Sequence, residues 1–164
     1  MDNKTSSTRT EGLLALFDLQ TGLLERAIDG MSQQDMHNRL NTKANHMAWL
    51  TGALVAQRYL MASDIKPDLK QTGAELFKDN KGIQDDVTYP RNEDYIQDWK
   101  TITPFARQAL MTLDDNKLDS IFDMGGMKMT WYELTSFKIY REASMIGQLA
   151  LWRRLLSHPA MKYE

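Results

Sequence analysis

The sequence predicts an all-α protein, a four-helix bundle with a long loop between the second and third helices. Four long segments repeat apolar residues every three or four positions, the spacing that places them on one face of a helix. Sustained alternation of apolar and polar residues, which would predict strands, is absent from the sequence. Because 164 residues suit one ordinary globular domain, we expect residues 1–164 to form a single domain.

Two helices are predicted in the N-terminal half of the chain. The first has apolar residues at helical spacing over residues 13–28 and ends at Gly30, which is suited to the positive φ that follows a helix. The second follows Asn41 or Asn45, either of which is a candidate N-cap, and ends before Pro67. Short connectors between helices of this kind are typical of a bundle.

A long polar loop and a third helix come next. Residues 63–92 are rich in Asp, Asn, Lys and Gly, although Thr72 and Glu75 form a capping-box pair that predicts one short helix. We expect the rest of this segment to be an irregular loop, of a length that is uncommon in a compact domain. The third helix, over residues 92–113, contains Pro104, which predicts either a kink or a restart of the helix there.

The fourth helix carries polar residues where a bundle core would hold apolar ones. Thr130 and Glu133 form a capping box, and the helical pattern continues up to Pro159. Its central stripe, at three- and four-residue spacing, consists of Leu134, Lys138, Arg141, Met145, Gln148, Trp152 and Leu155. Burying an unpaired polar or charged group costs several kcal/mol, so this stripe needs a specific explanation.

Arg141 within that stripe has two interpretations. The helical phase can drift, so that Arg141 lies at the edge of the stripe and pairs with a first-helix carboxylate such as Asp18 or Glu25. Alternatively, Arg141, Gln148 and Trp49 line a pocket in the centre of the bundle, where the guanidinium offers a pair of donors to an anionic ligand. The first interpretation gives a structural ion pair, and the second gives a binding site.

The second and fourth helices also share a residue pattern with a known family. The first motif, W-L-x-G-H, is matched by Trp49, Leu50 and Gly52. The second motif, H-x-x-x-H-x-G-Q followed by an Arg-rich end, is matched by Gly147, Gln148 and Arg153. The histidines of both motifs have no match in this chain. These segments resemble the signature helices of the DinB-like superfamily, to which the chain is similar in helix order and length. The resemblance implies a DinB/YfiT-like four-helix bundle, a cytoplasmic homodimer, and kinship with metalloenzymes that include thiol-dependent S-transferases and relatives of maleylpyruvate isomerase.

The histidines of that family pattern are replaced in this sequence. In the superfamily, two histidines four residues apart on one helix and a third on a facing helix hold a metal with open coordination positions. Aligned on Gly52 and on 147–148, those positions fall on Ala53, Arg141 and Met145. Alanine has no donor atom, a guanidinium repels a cation, and a single thioether is a weak ligand. We therefore expect a degenerate metal site, no metal cofactor and no catalytic residue.

The three histidines present elsewhere in the chain do not restore that site. We expect His37 at the surface of a connector and His158 near the last carbonyls of the fourth helix. His46, two turns from Ala53, is expected as a partly exposed or capping side chain at the start of the second helix. Arg153 and His158 have the Arg-x4-His spacing of a class of helical ribonucleases, a short pattern that arises easily by chance. The absence of Cys excludes disulfides, thiolate–zinc sites and cysteine catalysis.

Charge and hydropathy narrow the class of protein further. A formal net charge of -2 lacks the basic excess that phosphate-backbone binding requires, so we expect no nucleic-acid partner. Residues 1–12 lack the apolar core of a signal peptide, and no apolar stretch reaches the ~20 residues of a membrane span. The sequence therefore predicts a cytoplasmic protein without a membrane partner.

From these features we expect a DinB-like protein that has lost the family metal site and binds a small anionic ligand in the bundle centre. The candidate ligand-binding residues are Trp49, Ala53, Arg141, Met145 and Gln148. The alternative is a metal-dependent thiol transferase or hydrolase of the superfamily that uses other ligands, for which Asp and Glu are available. A third possibility is a structural or interaction protein in which the former site is filled core.

Overall fold

The computed structural model describes residues 5–163 and consists of four long helices joined by shorter elements. The long helices are α1 (Glu11–Ile28), α3 (Met47–Met61), α4 (Asn92–Met111) and α6 (Trp131–Leu155). Two short helices, α2 (Gln33–His37) and α5 (Asp115–Asp119), lie between them. The predicted all-α four-helix fold, with a long loop between its second and third long helices, is confirmed. Among the residues described, no helix is both long and apolar enough to cross a membrane.

Each long helix packs against two others, in the cyclic order α1, α4, α3 and α6. The apolar core between them has two parts. One part includes Leu24, Leu50 and Leu149, and the other includes Phe17 and Ile102. Burial of each such side chain contributes about 1.5–3 kcal/mol, which is what holds the amphipathic helices together.

The ends of the first two long helices follow local capping chemistry. α1 ends as predicted, with Gly30 at a φ of 69° just beyond it. α3 begins at His46 and not at Asn41 or Asn45, because the His46 Nδ1 atom accepts a hydrogen bond from the Trp49 amide at 3.1 Å. Histidine is not one of the residues that usually cap a helix, but capping was one of the two roles expected for His46, and the structure confirms it.

α4 runs without a break through Pro104, so the restart considered at that position does not occur. On the turn before it, the Thr103 hydroxyl donates to the Trp99 carbonyl at 2.7 Å. Trp99 and Ile102 on the same helix are fully buried. Packing of this face against the core therefore maintains a helix that a proline would weaken in isolation.

The loop between α3 and α4 contains two 3₁₀ turns, Ala74–Leu76 and Lys78–Asn80. The short helix predicted from Thr72 and Glu75 is present as the 3₁₀ turn Ala74–Leu76, but without the predicted capping box. Gly73 has a φ of 68° and directly precedes the first turn, and no side chain caps that turn. A left-handed residue at this point stops the Thr72 side chain from capping a regular helix.

This loop packs across α3 at Gly52. A Cβ atom at position 52 would lie 2.1 Å from Cζ of Phe77, far inside van der Waals contact. The Gln71 side-chain amide also donates to the Gly52 carbonyl at 3.4 Å. The Phe77 ring can lie against α3 because Gly52 has no side chain.

We expect Gly52→Ala to destabilise the protein by about 1–3 kcal/mol, because the added methyl group displaces the Phe77 ring. Gly147→Ala is the matched control, since position 147 is also helical and a Cβ atom there meets no atom within 4 Å. The control should be neutral or slightly stabilising. Urea unfolding measures both variants, and equal effects of the two substitutions would contradict this role for Gly52.

A small hairpin precedes the last helix. Strands β1 (Ile121–Asp123) and β2 (Lys128–Thr130) pair antiparallel, and the glycines at 125–126 adopt positive φ between them. Three-residue strands are too short to show alternation, so the sequence did not predict them. The predicted capping box of α6 is confirmed, because the Thr130 side chain accepts from the Glu133 amide and Glu133 accepts from the Thr130 amide.

An ion pair lies in the centre of the bundle. Arg58 of α3 and Glu142 of α6 are both fully buried. The Arg58 Nε atom donates to Glu142 Oε1 at 3.0 Å, and Nη2 donates to Oε2 at 2.9 Å. This two-bond geometry matches the planar guanidinium to the carboxylate and ties two facing helices together.

The remaining hydrogens of the Arg58 guanidinium also have partners. Nη1 donates to the hydroxyls of Thr21 at 2.9 Å and Thr103 at 2.8 Å, and Nη2 reaches the Phe17 carbonyl at 3.4 Å. The aromatic rings of Phe17 and Trp99 lie 3.9 and 3.5 Å from the guanidinium carbon. Arg58 of α3 thus contacts residues of the other three long helices, so its side chain is the polar centre of the fold.

Candidate functional site

The predicted ligand-binding residues meet at an open cleft between α3 and α6. This α3–α6 cleft has a volume of about 280 Å³ and is lined by Asn45, Trp49, Leu50, Phe137, Tyr140, Arg141, Ser144, Met145 and Gln148. It contains four of the five candidate residues. The fifth, Ala53, is buried in the core one turn further along α3 and is not part of the lining.

Arg141 is held in place by a side chain of α3. Its Nη1 atom donates to Gln57 Oε1 at 2.9 Å, and Gln57 Nε2 donates to the Lys138 carbonyl at 2.9 Å. Gln57 is one helical turn beyond Ala53, on the same face of α3. This face of α3 therefore positions the Arg141 guanidinium.

The carboxylates considered as partners of Arg141 have other partners. Asp18 pairs with Arg107 at 2.8 Å, and Glu25 pairs with Lys100 at 3.2 Å. The predicted ion pair of Arg141 with the first helix is therefore wrong. Both carboxylates form ion pairs with basic residues of the adjacent helix α4, whereas Arg141 contacts α3.

The Arg141 guanidinium has no carboxylate partner within residues 5–163. Burial lowers the pKa of Arg141, and the negative charge of Glu142 opposes that shift. Glu142 itself is bound by Arg58, so its charge is already compensated. Because arginine stays protonated at any physiological pH, the cleft contains a half-buried cation whose charge is not neutralised by a contact.

The rest of the cleft combines hydrogen-bond donors with apolar walls. The Trp49 Nε1 atom is buried and has no hydrogen-bond partner. Met145 is buried, Gln148 is exposed, and Tyr140 at the rim is 67% exposed. The Arg141 guanidinium and the Gln148 amide favour an acceptor-rich ligand, and the aromatic rim favours one with an apolar body.

The cleft lies at the side of α6 and not in the bundle centre as predicted. The side chains of α6 that point into the core include Ile139, Glu142, Ile146 and Leu149, all buried. Gln148, which the predicted stripe placed on the core face, is exposed. The stripe residues Leu134, Met145 and Trp152 are buried, but Ile139, Glu142 and Leu149 face the core in place of Lys138, Arg141 and Gln148.

The residues at the family ligand positions do not fit a metal ion. Ala53 provides no donor, Arg141 is cationic, and Met145 provides one thioether. In the part of the chain that the structure describes, no group of three His, Cys, Asp or Glu residues could hold a metal ion. The alternative set of carboxylate ligands is therefore not assembled among these residues.

Two histidines lie together at the start of α3. His46 is buried as the N-cap, and its ring centroid lies 5.1 Å from that of His37 and 4.9 Å from that of Tyr89. Burial, followed by the charge of His37, lowers the pKa of His46 to about 4. His37, which was expected at the surface, is partly exposed and lies against this ring cluster.

The Arg153 and His158 pair has a structural role. Arg153 donates to the Pro159 carbonyl at 2.7 Å and to the carbonyls of Ala27 and Asp29 at the end of α1. The His158 Nε2 atom lies 3.2 Å from Asp35 Oδ2, so its imidazole pairs with a carboxylate instead of the helix carbonyls expected for it. A cation at these carbonyls satisfies the free acceptors of the α1 terminus, and both side chains are occupied.

Comparison with known proteins supports the fold. No family model matches the sequence, and no curated protein matches it. The structure is similar to the crystal structure of a DinB-like protein, YjoA, from Bacillus subtilis, with a TM-score of 0.61 and 18% sequence identity. The match covers 95% of this chain and 96% of that one. At this identity the similarity shows that the chain has a DinB-like fold.

Proposed function

We propose that this chain is a divergent member of the DinB-like superfamily that has lost the metal site and binds a small anionic molecule in the α3–α6 cleft. The observation that carries this proposal is the half-buried Arg141 guanidinium, which lines the cleft and contacts a neutral amide instead of a carboxylate. An unneutralised cation is costly in a partly desolvated position, and a bound anion offsets that cost.

The geometry of the cleft favours a carboxylate attached to an aromatic or other flat apolar group. One guanidinium edge is fixed by Gln57, and the charge remains to attract a carboxylate. The exposed Gln148 amide is a further donor on the same cleft. Phe137 and Tyr140 at the rim give the ligand's apolar body a surface to contact.

Benzoate is a suitable probe of this site, and benzamide is its uncharged control. We expect benzoate to raise the Tm of the wild-type protein and benzamide to have little effect, because only the carboxylate neutralises Arg141. Loss of a charge-assisted hydrogen bond costs about 1.5–3 kcal/mol, so Arg141→Met should weaken benzoate binding by about ten- to a hundredfold. Thermal unfolding and calorimetric titration measure the two effects.

Arg154→Met is the matched control, because Arg154 is an exposed arginine of the same helix outside the cleft. It should bind benzoate as the wild type does. Benzoate binding that is equal in the Arg141→Met variant, or absent from the wild type, would contradict the proposal.

Three further expectations accompany this proposal. The chain is a single domain, as the sequence predicts, and it acts as a cytoplasmic homodimer, as the resemblance implies. Supporting the dimer, the neighbouring helices α1 and α6 expose large apolar side chains, among them Leu19 at 57% and Phe137 at 54%. The absence of a catalytic residue is proposed on the donor chemistry of Ala53, Arg141 and Met145.

A further inference from the structure

A second cavity lies at the N-terminal end of α6, and its lining shares no residue with that of the α3–α6 cleft. It has a volume of about 100 Å³ and lies between the C-terminal ends of α3 and α4, the short helix α5, and the first turns of α6. Its apolar walls include Met61, Ile65 and Leu110, and its polar lining includes Lys117 and Lys138. We call this cavity the α5–α6 pocket. It is large enough for a small organic molecule rather than a single water.

Lys138 is the unusual member of this lining. Its side chain is half-buried, and no carboxylate lies within ion-pair distance of its amine among residues 5–163. The Nζ atom lies 5.9 Å from the centroid of the Trp131 ring, which is also part of the pocket. The amine of Lys138 is therefore partly removed from water without the compensation of a counter-ion.

The charges that face Lys138 are few. Lys117 of α5 lies over the same Trp131 ring, with its Nζ atom 3.9 Å from the ring centroid, and Asp64 beyond α3 also lines the pocket. Burial lowers the pKa of Lys138, and the charge of Asp64 partly opposes this effect. The free amine is therefore more populated at neutral pH than that of an ordinary surface lysine.

We propose that Lys138 is a nucleophilic amine that forms a Schiff base with small carbonyl compounds admitted to the α5–α6 pocket. The neutral amine attacks the carbonyl carbon with its lone pair, and the carbonyl electron pair moves to oxygen. A proton passes from the nitrogen to that oxygen, which gives a carbinolamine. Loss of one water molecule then gives the imine, so the condensation needs no oxidant, reductant or metal. A desolvated lysine in a mainly apolar pocket has the environment that activates amines for this chemistry.

Two carbonyl classes fit this chemistry. A short aldehyde would use only the apolar walls, whereas a short 2-oxo acid would also place its carboxylate near the ammonium group of Lys117. The proposal is independent of the α3–α6 cleft, because the two cavities share no lining residue.

Reductive trapping tests this proposal on the wild-type protein. The full chain is incubated at pH 7 with pyruvate or with propanal in the presence of cyanoborohydride, which reduces an imine to a stable secondary amine. Peptide mass spectrometry then gives a labelling rate for each lysine separately. Because burial lowers the pKa of Lys138, a larger fraction of its amine is free, so we expect Lys138 to be labelled at least severalfold faster than exposed Lys43.

The two reagents separate the carbonyl classes. Faster labelling by pyruvate, reduced in Lys117→Met, would support a 2-oxo acid site, and faster labelling by propanal that is unchanged in that variant would support an aldehyde site. Labelling of Lys138 at the same rate as Lys43, or slower, with both reagents would overturn the proposal.

Discussion

Arg58→Met is expected to lower the free energy of unfolding by about 3–5 kcal/mol, the largest effect of any substitution considered for this chain. The variant removes the cation and leaves the Glu142 carboxylate fully buried without its partner. The hydroxyls of Thr21 and Thr103 also lose a donor. A buried charge without a partner is far more costly than the net value of the pair itself, which is why removing one side is so harmful.

Denaturant unfolding of two further variants separates this effect from the simple loss of an arginine. Arg107→Met breaks the more exposed ion pair with Asp18 and should cost less than about 1 kcal/mol. The double variant Arg58→Met with Glu142→Leu removes both charges and should recover much of the stability lost by Arg58→Met alone. A double variant that is no more stable than Arg58→Met would contradict this account of the core.

Stability is expected to fall as the pH is lowered from 6.5 to about 4, because of His46. Its ordinary pKa is 6.5, and burial lowers the pKa to about 4 in the folded protein. Within this window the unfolded chain binds a proton that the folded chain does not, so the free energy of unfolding decreases with decreasing pH. The full window corresponds to a loss of up to about 3 kcal/mol.

His46→Asn is the control for this pH dependence. Asparagine provides an oxygen that can accept the Trp49 amide hydrogen bond of the helix cap, but it does not titrate. Chemical unfolding at several pH values should therefore give a flatter profile between pH 6.5 and 4 for the variant than for the wild type. Two parallel profiles would show that His46 is not the group responsible.

The long helices could be predicted from sequence because their signals are local. Apolar spacing, the capping box at Thr130 and the helix stop at Gly30 act within a few residues, and all three are present in the structure. The α3 cap and the loop were predicted less well. The His46 cap and the contact of Phe77 with Gly52 depend on which segments fold against each other, and local patterns do not contain that information.

The buried Arg58–Glu142 pair was missed for the same reason. A signal was present, since Arg58 follows Thr51 and Leu54 on one face of an otherwise apolar helix. Nothing in the sequence, however, identified Glu142 as its partner. The prediction instead concentrated on the adjacent Arg141, because that residue occupies a family ligand position.

The candidate site was predicted in composition but not in position. Trp49, Arg141, Met145 and Gln148 do line one cleft, because residues at three- and four-residue spacing share a helix face. The cleft is at the side of the bundle, since the core line of α6 runs through Glu142 and not through Arg141. A shift of one residue rotates a helix face by about 100°, which is enough to move a site from the centre to the edge.

The Trp49 indole N–H gives the most direct test of the central claim that the α3–α6 cleft is an anion site and not a metal site. It has no hydrogen-bond partner, whereas the indoles of Trp99 and Trp152 donate to backbone carbonyls. In a ¹H–¹⁵N spectrum, titration with benzoate should shift the Trp49 indole signal until it saturates, while the indole signals of Trp99 and Trp152 stay in place. Titration with Zn²⁺ should not shift the Trp49 signal. A Trp49 signal that does not shift with benzoate but shifts with one equivalent of Zn²⁺ would contradict the assignment of the cleft as an anion site.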